Sequence, residues 1–320
     1  DVGTADALRV IIEVNLRRAE GKPTEAMEIA TAERAAFKRV GDERGEASML
    51  LSLALINTDR RGSKKRDEAL HFATQARAIF VKLEDARMQA EAGCIMAKIN
   101  IKKCDRYAGA VVAQAAVRQA TEALSLFNKT ENTRGEARAS HLLSVAWWHA
   151  NLPFKDGLDY AKLAQDMYET LGLRMSQAVV SLSIAAWHRK KDQPRGGLKD
   201  GRKAWQLFQE LVQEAEKAQI EAKQLDKLKV GELNSRFLVV GCLADRGILD
   251  HALQLAEEGV QDFKTTGDKL LECQAMEQLS SLYLLKGDTD KAVQLAQDAF
   301  EIASINLSDK RQELRTLGLA

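Results

Sequence analysis

The chain has 320 residues, 47 of them Lys or Arg and 46 Asp or Glu, for a formal charge of +1. That balance excludes a bulk field that would drive it onto nucleic acid or membranes. Hydrophobic residues make up 45% and charged ones 29%, a globular composition, and three prolines with 5% aromatics leave a helix-forming mixture. No apolar run approaches the roughly 18–20 residues that span a bilayer. Cys94, Cys104, Cys242 and Cys273 lie far apart without a CxxC spacing, and read as reduced, packed thiols. A cytoplasmic setting is the expectation, or an organelle if a targeting segment once preceded Asp1.

In chain order, residues 5–20 read as a first helix with Gly21 at its turn, and Pro23-Thr24 start a second. That second helix holds the first copy of a recurring stripe. A small residue followed by an aliphatic one appears at Ala26, Ala69, Ala116, Gly157, Gly197, Ala252 and Ala292. Four residues later stand Ala30, Ala73, Ala120, Ala161, Gly201, Ala256 and Ala296, and three further Glu33, Ala76, Ala123, Ala164, Ala204, Gly259 and Ala299. Eleven past the first column come Phe37, Phe80, Phe127, Tyr168, Phe208, Phe263 and Ala303. Offsets of 0, 4, 7 and 11 share one helix face. A stripe of Ala and Gly lets a neighbouring backbone approach closely, and the large residue fills the space where helices diverge.

A second helix precedes each stripe, as in Cys273, Met276, Leu279, Ser280 and Tyr283 before Ala292. Gly41, Gly172 and Gly267 stand where left-handed caps belong, and Asn132, or Thr133 with Glu136, can cap a start, as can Thr289. Successive stripes are 43, 47, 41, 40, 55 and 40 residues apart. The 47 places extra residues near Cys104–Val112. The 55 places them near Gln213–Lys229, so a hairpin over about 205–235 should be extended. Ser308–Leu319 should form a terminal capping helix.

This pattern resembles the tetratricopeptide repeat. The family's small-residue signature is met by Ser280, Ala292 and Ala299, its aromatic by Tyr283 and its turn glycine by Gly287. The usual period is about 34 residues, so these are long repeats, similar to those of kinesin light chain and Pins-like scaffolds. The resemblance implies an all-α fold, an α-solenoid of about seven helical hairpins forming a right-handed superhelix, with residues 1–320 as one domain.

It further implies a groove lined by the first helix of each hairpin, which we call the A helices, and a protein or peptide partner held there. In the family register the groove positions are Ser48, Leu51, Leu55, Thr58 and Asp59, then Glu91, Cys94, Lys98, Ile101 and Lys102. Next come Arg138, His141, Val145, Trp148 and His149, then Val179, Leu182, Ala186, Arg189 and Lys190, with Asn234 and Phe237 in the fifth hairpin. Lys98, Lys102, Arg138, His141, Val145, Trp148, His149, Leu182, Arg189 and Lys190 make the strongest candidate set. Its basic residues with apolar breaks suit a partner segment that carries acidic residues beside a hydrophobic anchor. The paired Asn and Lys of carboxylate-clamping members are missing, and the Asn ladder of kinesin light chain is replaced by Ser52, Ile95, Leu142 and Ser183.

A second basic feature lies in the hairpin turns: Arg60–Arg66, then Lys102, Lys103 and Arg106, then His188–Lys191 with Arg195, Lys199, Arg202 and Lys203. It is the basis of an alternative, an edge for nucleic acid or an anionic surface. Asp156, Asp245 and Asp288 interrupt it, and a solvated loop edge is the simpler reading. No catalytic, cofactor or metal motif stands out. Arg195-Gly196-Gly197 is too short for a phosphate loop, and there is no HExxH or GxSxG. Cys94 and His141 share a groove position in adjacent repeats, which periodicity explains without chemistry.

Overall fold

A computed structural model describes residues 2–17, 23–60, 62–104 and 109–306. Among them the chain forms fourteen helices, packed in two compact units, Asp1–Leu173 and Arg174–Ala320. The first unit holds α1 (Val2–Arg17), α2 (Pro23–Arg39), α3 (Glu43–Asp59), α4 (Ser63–Lys82), α5 (Ala86–Cys104), α6 (Ala110–Lys129), α7 (Thr133–His149) and α8 (Phe154–Thr170). The second holds α9 (Arg174–Lys190), α10 (Pro194–Lys217), α11 (Ala222–Asp245), α12 (Leu249–Thr266), α13 (Lys269–Lys286) and α14 (Thr289–Asn306). Within each unit every helix packs on the next. Odd-numbered helices are the A helices and even-numbered ones carry the stripe. Gly21, Arg61, Asp105, Arg106 and Ser308–Leu319 lie outside the described residues.

The stripe is the core. Ala69, Ala73, Ala76 and Phe80 of α4 are fully buried, as are Ala116, Ala120 and Phe127 of α6. In α10 the stripe is Gly197, Gly201, Ala204 and Phe208. A Cβ on Gly197 would stand 2.8 Å from the Cys242 sulfur of α11 and 3.1 Å from the Ala185 carbonyl of α9, so only hydrogen fits between the two neighbours. α10 and α11 are 24 residues each, against 17 or 18 for α9, α12, α13 and α14.

One linker design recurs, in whole or in part, between stripe helices and the A helices that follow them, and α10–α11 departs from it, with the Ala215 carbonyl accepting from Ile220 N–H. The aromatic carbonyl at the stripe's end accepts from the N–H five residues on, Phe37 from Asp42, Phe80 from Asp85 and Phe127 from Asn132, each at 3.0 Å. The residue between is left-handed, with φ of +75° at Gly41, +66° at Gly172 and +74° at Gly267, as the sequence predicts. Glu84 and Glu131 take the same conformation at +54° and +52° without glycine's freedom. The next residue caps the new helix: Asp42 accepts from Gly45 N–H at 2.8 Å and Asn132 from Gly135 N–H at 2.9 Å.

The glycine capped in this way receives the aromatic ring: any Cβ at Gly45 or Gly135 would overlap Phe37 or Phe127, and Phe208 packs in the same way on Gly231, well inside α11. The aromatic column therefore does more than fill a gap between diverging helices, because it locks the start of the next hairpin. Gly135→Ala, which would favour an ordinary helix, should instead destabilise the protein by about 1–3 kcal/mol through overpacking. Thermal melts should show part of that loss restored in the double variant Gly135→Ala/Phe127→Leu, and an unchanged single-variant melt would refute the interlock.

Candidate functional site

Groove positions in the first unit are largely satisfied from within the chain. Ser48, Leu51 and Thr58 of α3 are fully buried. Nothing is described of the Asp59 side chain. On α5, Glu91 accepts from Arg138 of α7 at 2.6 Å and lies 4.0 Å from Arg9 of α1. The Arg138 guanidinium also sits 5.7 Å from the centre of the Phe127 ring. Beside it, burial raises the Cys94 thiol to about 11, against the opposing pull of Arg138. Burial lowers the His141 imidazole to about 4, and its ring meets Tyr168 edge-on at 6.4 Å. The Tyr168 phenol is raised to about 12, again mainly by burial.

Seven of the ten candidates thus belong to the first unit. Lys98 and Lys102 are half-buried on α5. Val145 packs against Ile101, Ala116 and Ala146, and Trp148 meets Phe154 edge-on at 6.3 Å. His149 is half-buried at the end of α7. The neighbouring Trp147 donates to the Pro153 carbonyl at 3.1 Å, a packing role of the kind its register suggests.

The second unit contains an open cleft of about 460 Å³ where three A helices meet. Leu182, Ala186 and Arg189 come from α9; Asn234, Phe237 and Leu238 from α11; Gln274, Glu277, Gln278 and Ser281 from α13. Five of these residues are groove positions expected from the sequence, so the structure brings Leu182, Ala186, Arg189, Asn234 and Phe237 to one wall. Lys190, the tenth candidate, is exposed beside Arg189. The α13 contribution was missed although the signal was present. Adding the 40-residue spacing to Asn234 and Phe237 gives Gln274 and Glu277.

Arg189 is held firmly. Its Nε donates to Asp245 Oδ2 at 2.7 Å and its Nη2 to Oδ1 at 3.3 Å, a two-point clamp between α9 and α11. Gly241 is needed beneath it, since a Cβ there would overlap the guanidinium. Gln278 donates to the Phe237 carbonyl at 2.9 Å, tying α13 to α11 across the cleft floor.

The basic edge is largely matched by local partners. Arg60 donates to the Met27 sulfur at 3.7 Å, Lys65 pairs with Glu68 at 2.8 Å, and Lys103 with Asp67 at 2.7 Å. Arg66 is buried, and the His188 ring nitrogen Nδ1 bonds with Gln193 at 2.8 Å. Arg195 and Arg246 line a shallow depression at the turn before α10. All four cysteines are free. Among the described residues no helix is long and apolar enough to cross a membrane.

No family model matches the chain, and no curated protein matches it. Solved structures resemble it over nearly its full length, among them the two that follow. The Signal Transduction ATPase with Numerous Domains (STAND) protein with a tetratricopeptide repeat sensor, from Pyrococcus horikoshii, is 13% identical with a TM-score of 0.71. That match covers 99% of this chain but only 44% of the other, so the chain spans under half the length of that neighbour. The apo form of RapI is 13% identical with a TM-score of 0.61, covering 94% of this chain and 98% of the other. The fold is a tetratricopeptide-like helical-repeat solenoid. At such identity the likeness carries the fold alone.

The His141 environment gives a pH-dependent outcome. Its imidazole titrates near 4 when folded and near 6.5 when unfolded. Between those values the unfolded chain binds the extra proton, so stability falls as pH drops from about 6.5 to 4 and the loss ends below that. His141→Gln should therefore lose about 1–2 kcal/mol less than wild type between pH 7 and 5, measured by denaturant melts at both pH values. Parallel curves would show that His141 is not the group responsible.

Proposed function

We propose that the chain is a non-catalytic protein-interaction scaffold that holds a partner's extended segment, in the second unit at the cleft formed by α9, α11 and α13. One observation carries the reading: three A helices converge on an open cleft with an apolar floor, Leu182, Phe237 and Leu238, framed by the hydrogen-bonding side chains Asn234, Gln274, Gln278 and Ser281. Apolar side chains supply an anchor site and the amides match the donors and acceptors of an extended backbone. The long repeat spacing, of the kind in kinesin light chain and Pins-like scaffolds, and the free thiols fit a cytoplasmic assembly role, alone or within a larger complex. An acidic, hydrophobic segment remains the complement suggested by Lys98, Lys102 and Lys190.

The state of the buried groups supports a non-catalytic role. At neutral pH the Cys94 thiol and His141 imidazole are both uncharged, the reverse of the thiolate and imidazolium that a nucleophilic pair requires. The salt bridges along the turns speak against the basic edge as a nucleic-acid surface.

The test is fluorescence-polarisation binding of a pooled random library of about twelve-residue peptides. Phe237→Ala combined with Leu182→Ala should weaken binding roughly tenfold or more while the circular dichroism spectrum is retained. Undiminished binding by that variant would remove the cleft from the function. Binding that collapses between low and moderate salt for nucleic acid, with no peptide retained, would move the function to the basic edge.

A further inference from the structure

A row of apolar side chains crosses the second unit where the stacking of hairpins does not require one. One groove position reads Leu51, Cys94, His141, Leu182, Phe237 and Glu277 along the chain. Two helical turns before it stands a column of Arg44, Arg87 and Arg134 in the first unit, and of Met175, Val230 and Leu270 in the second. Hairpins of the first unit stack with arginine in this column, Arg87 and Arg134 exposed, so packing needs no hydrophobic residue there. In the second unit Met175, Val230 and Leu270 are 41%, 40% and 40% exposed, on the successive A helices α9, α11 and α13. One exposed apolar residue is ordinary; a row of them aligned with an apolar cleft marks an interaction surface.

Positions 0, 4 and 7 along a helix share one face, so the row lies on the side of each A helix that lines the cleft. That face carries three parallel rows. The outer one is Met175, Val230 and Leu270; the middle one includes the amides Asn234 and Gln274; the inner one is the cleft floor, with Leu182 and Phe237. At about 1.5 Å per residue, the apolar rows stand about 6 Å and about 4.5 Å to either side of the amides, within reach of a side chain.

The charges beside the outer row are matched within the chain. Arg174, Lys229 and Lys269 each precede a row residue. Arg174 pairs with Glu210 at 2.6 Å and Glu214 at 2.7 Å, Lys229 with Glu216 at 3.2 Å and Lys269 with Glu272 at 2.9 Å. The row therefore complements a neutral, apolar residue rather than a charged one.

The amides decide the shape of the occupant. A partner helix has spent its backbone N–H and C=O groups internally and would cover Asn234 and Gln274 without offering them partners. An extended segment offers its backbone to the amides, and its successive side chains point to opposite sides, one toward each apolar row. Helices in contact lie about 8–10 Å apart, so the three A helices span about 20 Å, or about six residues of extended chain.

We propose that the second unit selects an extended segment in which neighbouring residues are both apolar. One side chain of each pair rests on the cleft floor at Leu182 and Phe237, and the next on the row of Met175, Val230 and Leu270. This rests on the reading of the cleft as a segment-binding site; it adds a second wall and specifies the composition of the ligand.

The experiment uses the full chain and three pools of about twelve-residue peptides, each with two fixed apolar residues and the other positions randomised. The fixed residues are adjacent in the first pool, separated by one position in the second and by three in the third, the last being the spacing of a helix face. The adjacent pool should bind wild type roughly tenfold more tightly than either other pool, the worth of one further buried apolar side chain. Val230→Arg/Leu270→Arg, which installs the residue that the first unit carries in this column, should reduce that advantage to about threefold or less. Binding of the second pool, which needs only the cleft floor, should stay within about twofold. Val230→Ser/Leu270→Ser serves in its place if the arginine variant fails to fold. Cleft-dependent binding without a preference for the adjacent pool, a preference for the third pool, or a preference that survives both variants overturns the inference and leaves the cleft as the binding site. Absence of binding by every pool, or binding undiminished by Phe237→Ala with Leu182→Ala, overturns both.

Discussion

How closely one helix backbone can approach the next governs everything else in this chain. Ala and Gly at offsets 0, 4 and 7 remove the side chains that would hold neighbours apart, and the α10 glycines show the limit, with a sulfur and a carbonyl in the space a Cβ would need. Dispersion contacts are individually tiny and fall off within a fraction of an ångström, so such a stripe gains its energy only if the register is kept along the whole face. The Phe–Gly contacts keep that register. A ring at the end of one stripe occupies the volume of a missing side chain at the start of the next A helix, which fixes where each hairpin begins relative to the last. The Asp or Asn cap at the same junction fixes the direction of entry. Where stripe, ring and cap coincide, as at the α2–α3 and α6–α7 junctions, the geometry is set three times over and the groove side chains are free to vary.

Charges follow the same period. Arg44 pairs with Asp85, Lys82 with Glu43 and Arg77 with Glu122 in the first unit; Arg174 with Glu214 and Lys286 with Asp250 in the second. Each pair joins side chains about one repeat apart in sequence, either at the open end of one hairpin, as Lys82–Glu43 and Arg174–Glu214 do, or between neighbouring hairpins. Most are exposed, so each adds little to stability. A nearly neutral total of +1 is therefore the sum of two signs interleaved along the stack. Within the basic run Arg60–Arg66, Lys65 meets an acid, Glu68, one turn along its own helix.

This explains what was legible in the sequence. The stripe was readable because all four of its positions lie within twelve residues of one helix, and the extended α10–α11 hairpin because an insertion stretches the spacing to 55. The left-handed caps were readable at Gly41, Gly172 and Gly267, where the residue type announces the conformation. They were not readable at Glu84 and Glu131, where only the surrounding hydrogen bonds impose it. Gly45 and Gly135 carry no signal in the sequence because the rings that demand them belong to another helix. The groove register proved most informative where its residues meet no internal partner of opposite charge: Leu182, Asn234 and Phe237 share a cleft. Arg138 and Arg189 look like groove cations in sequence, but Glu91 and Asp245 lie 47 and 56 residues away and only folding brings the charges together.

Periodicity also supplies the standard against which a functional residue is judged. Cys94 and His141 are suggestive as a pair, yet each stands where the repeat places a groove side chain, and burial removes the charge that would make either reactive. Their shared position in adjacent repeats is what stacking similar units produces. A groove position that changes residue class in one repeat, as Glu277 does after Leu51, Cys94, His141, Leu182 and Phe237, is tolerated in a structure whose stability is close to a sum of unit and neighbour contributions, because any loss stays local to its own hairpin and the next. Departures from the repeat are therefore more informative about function than the residues that obey it.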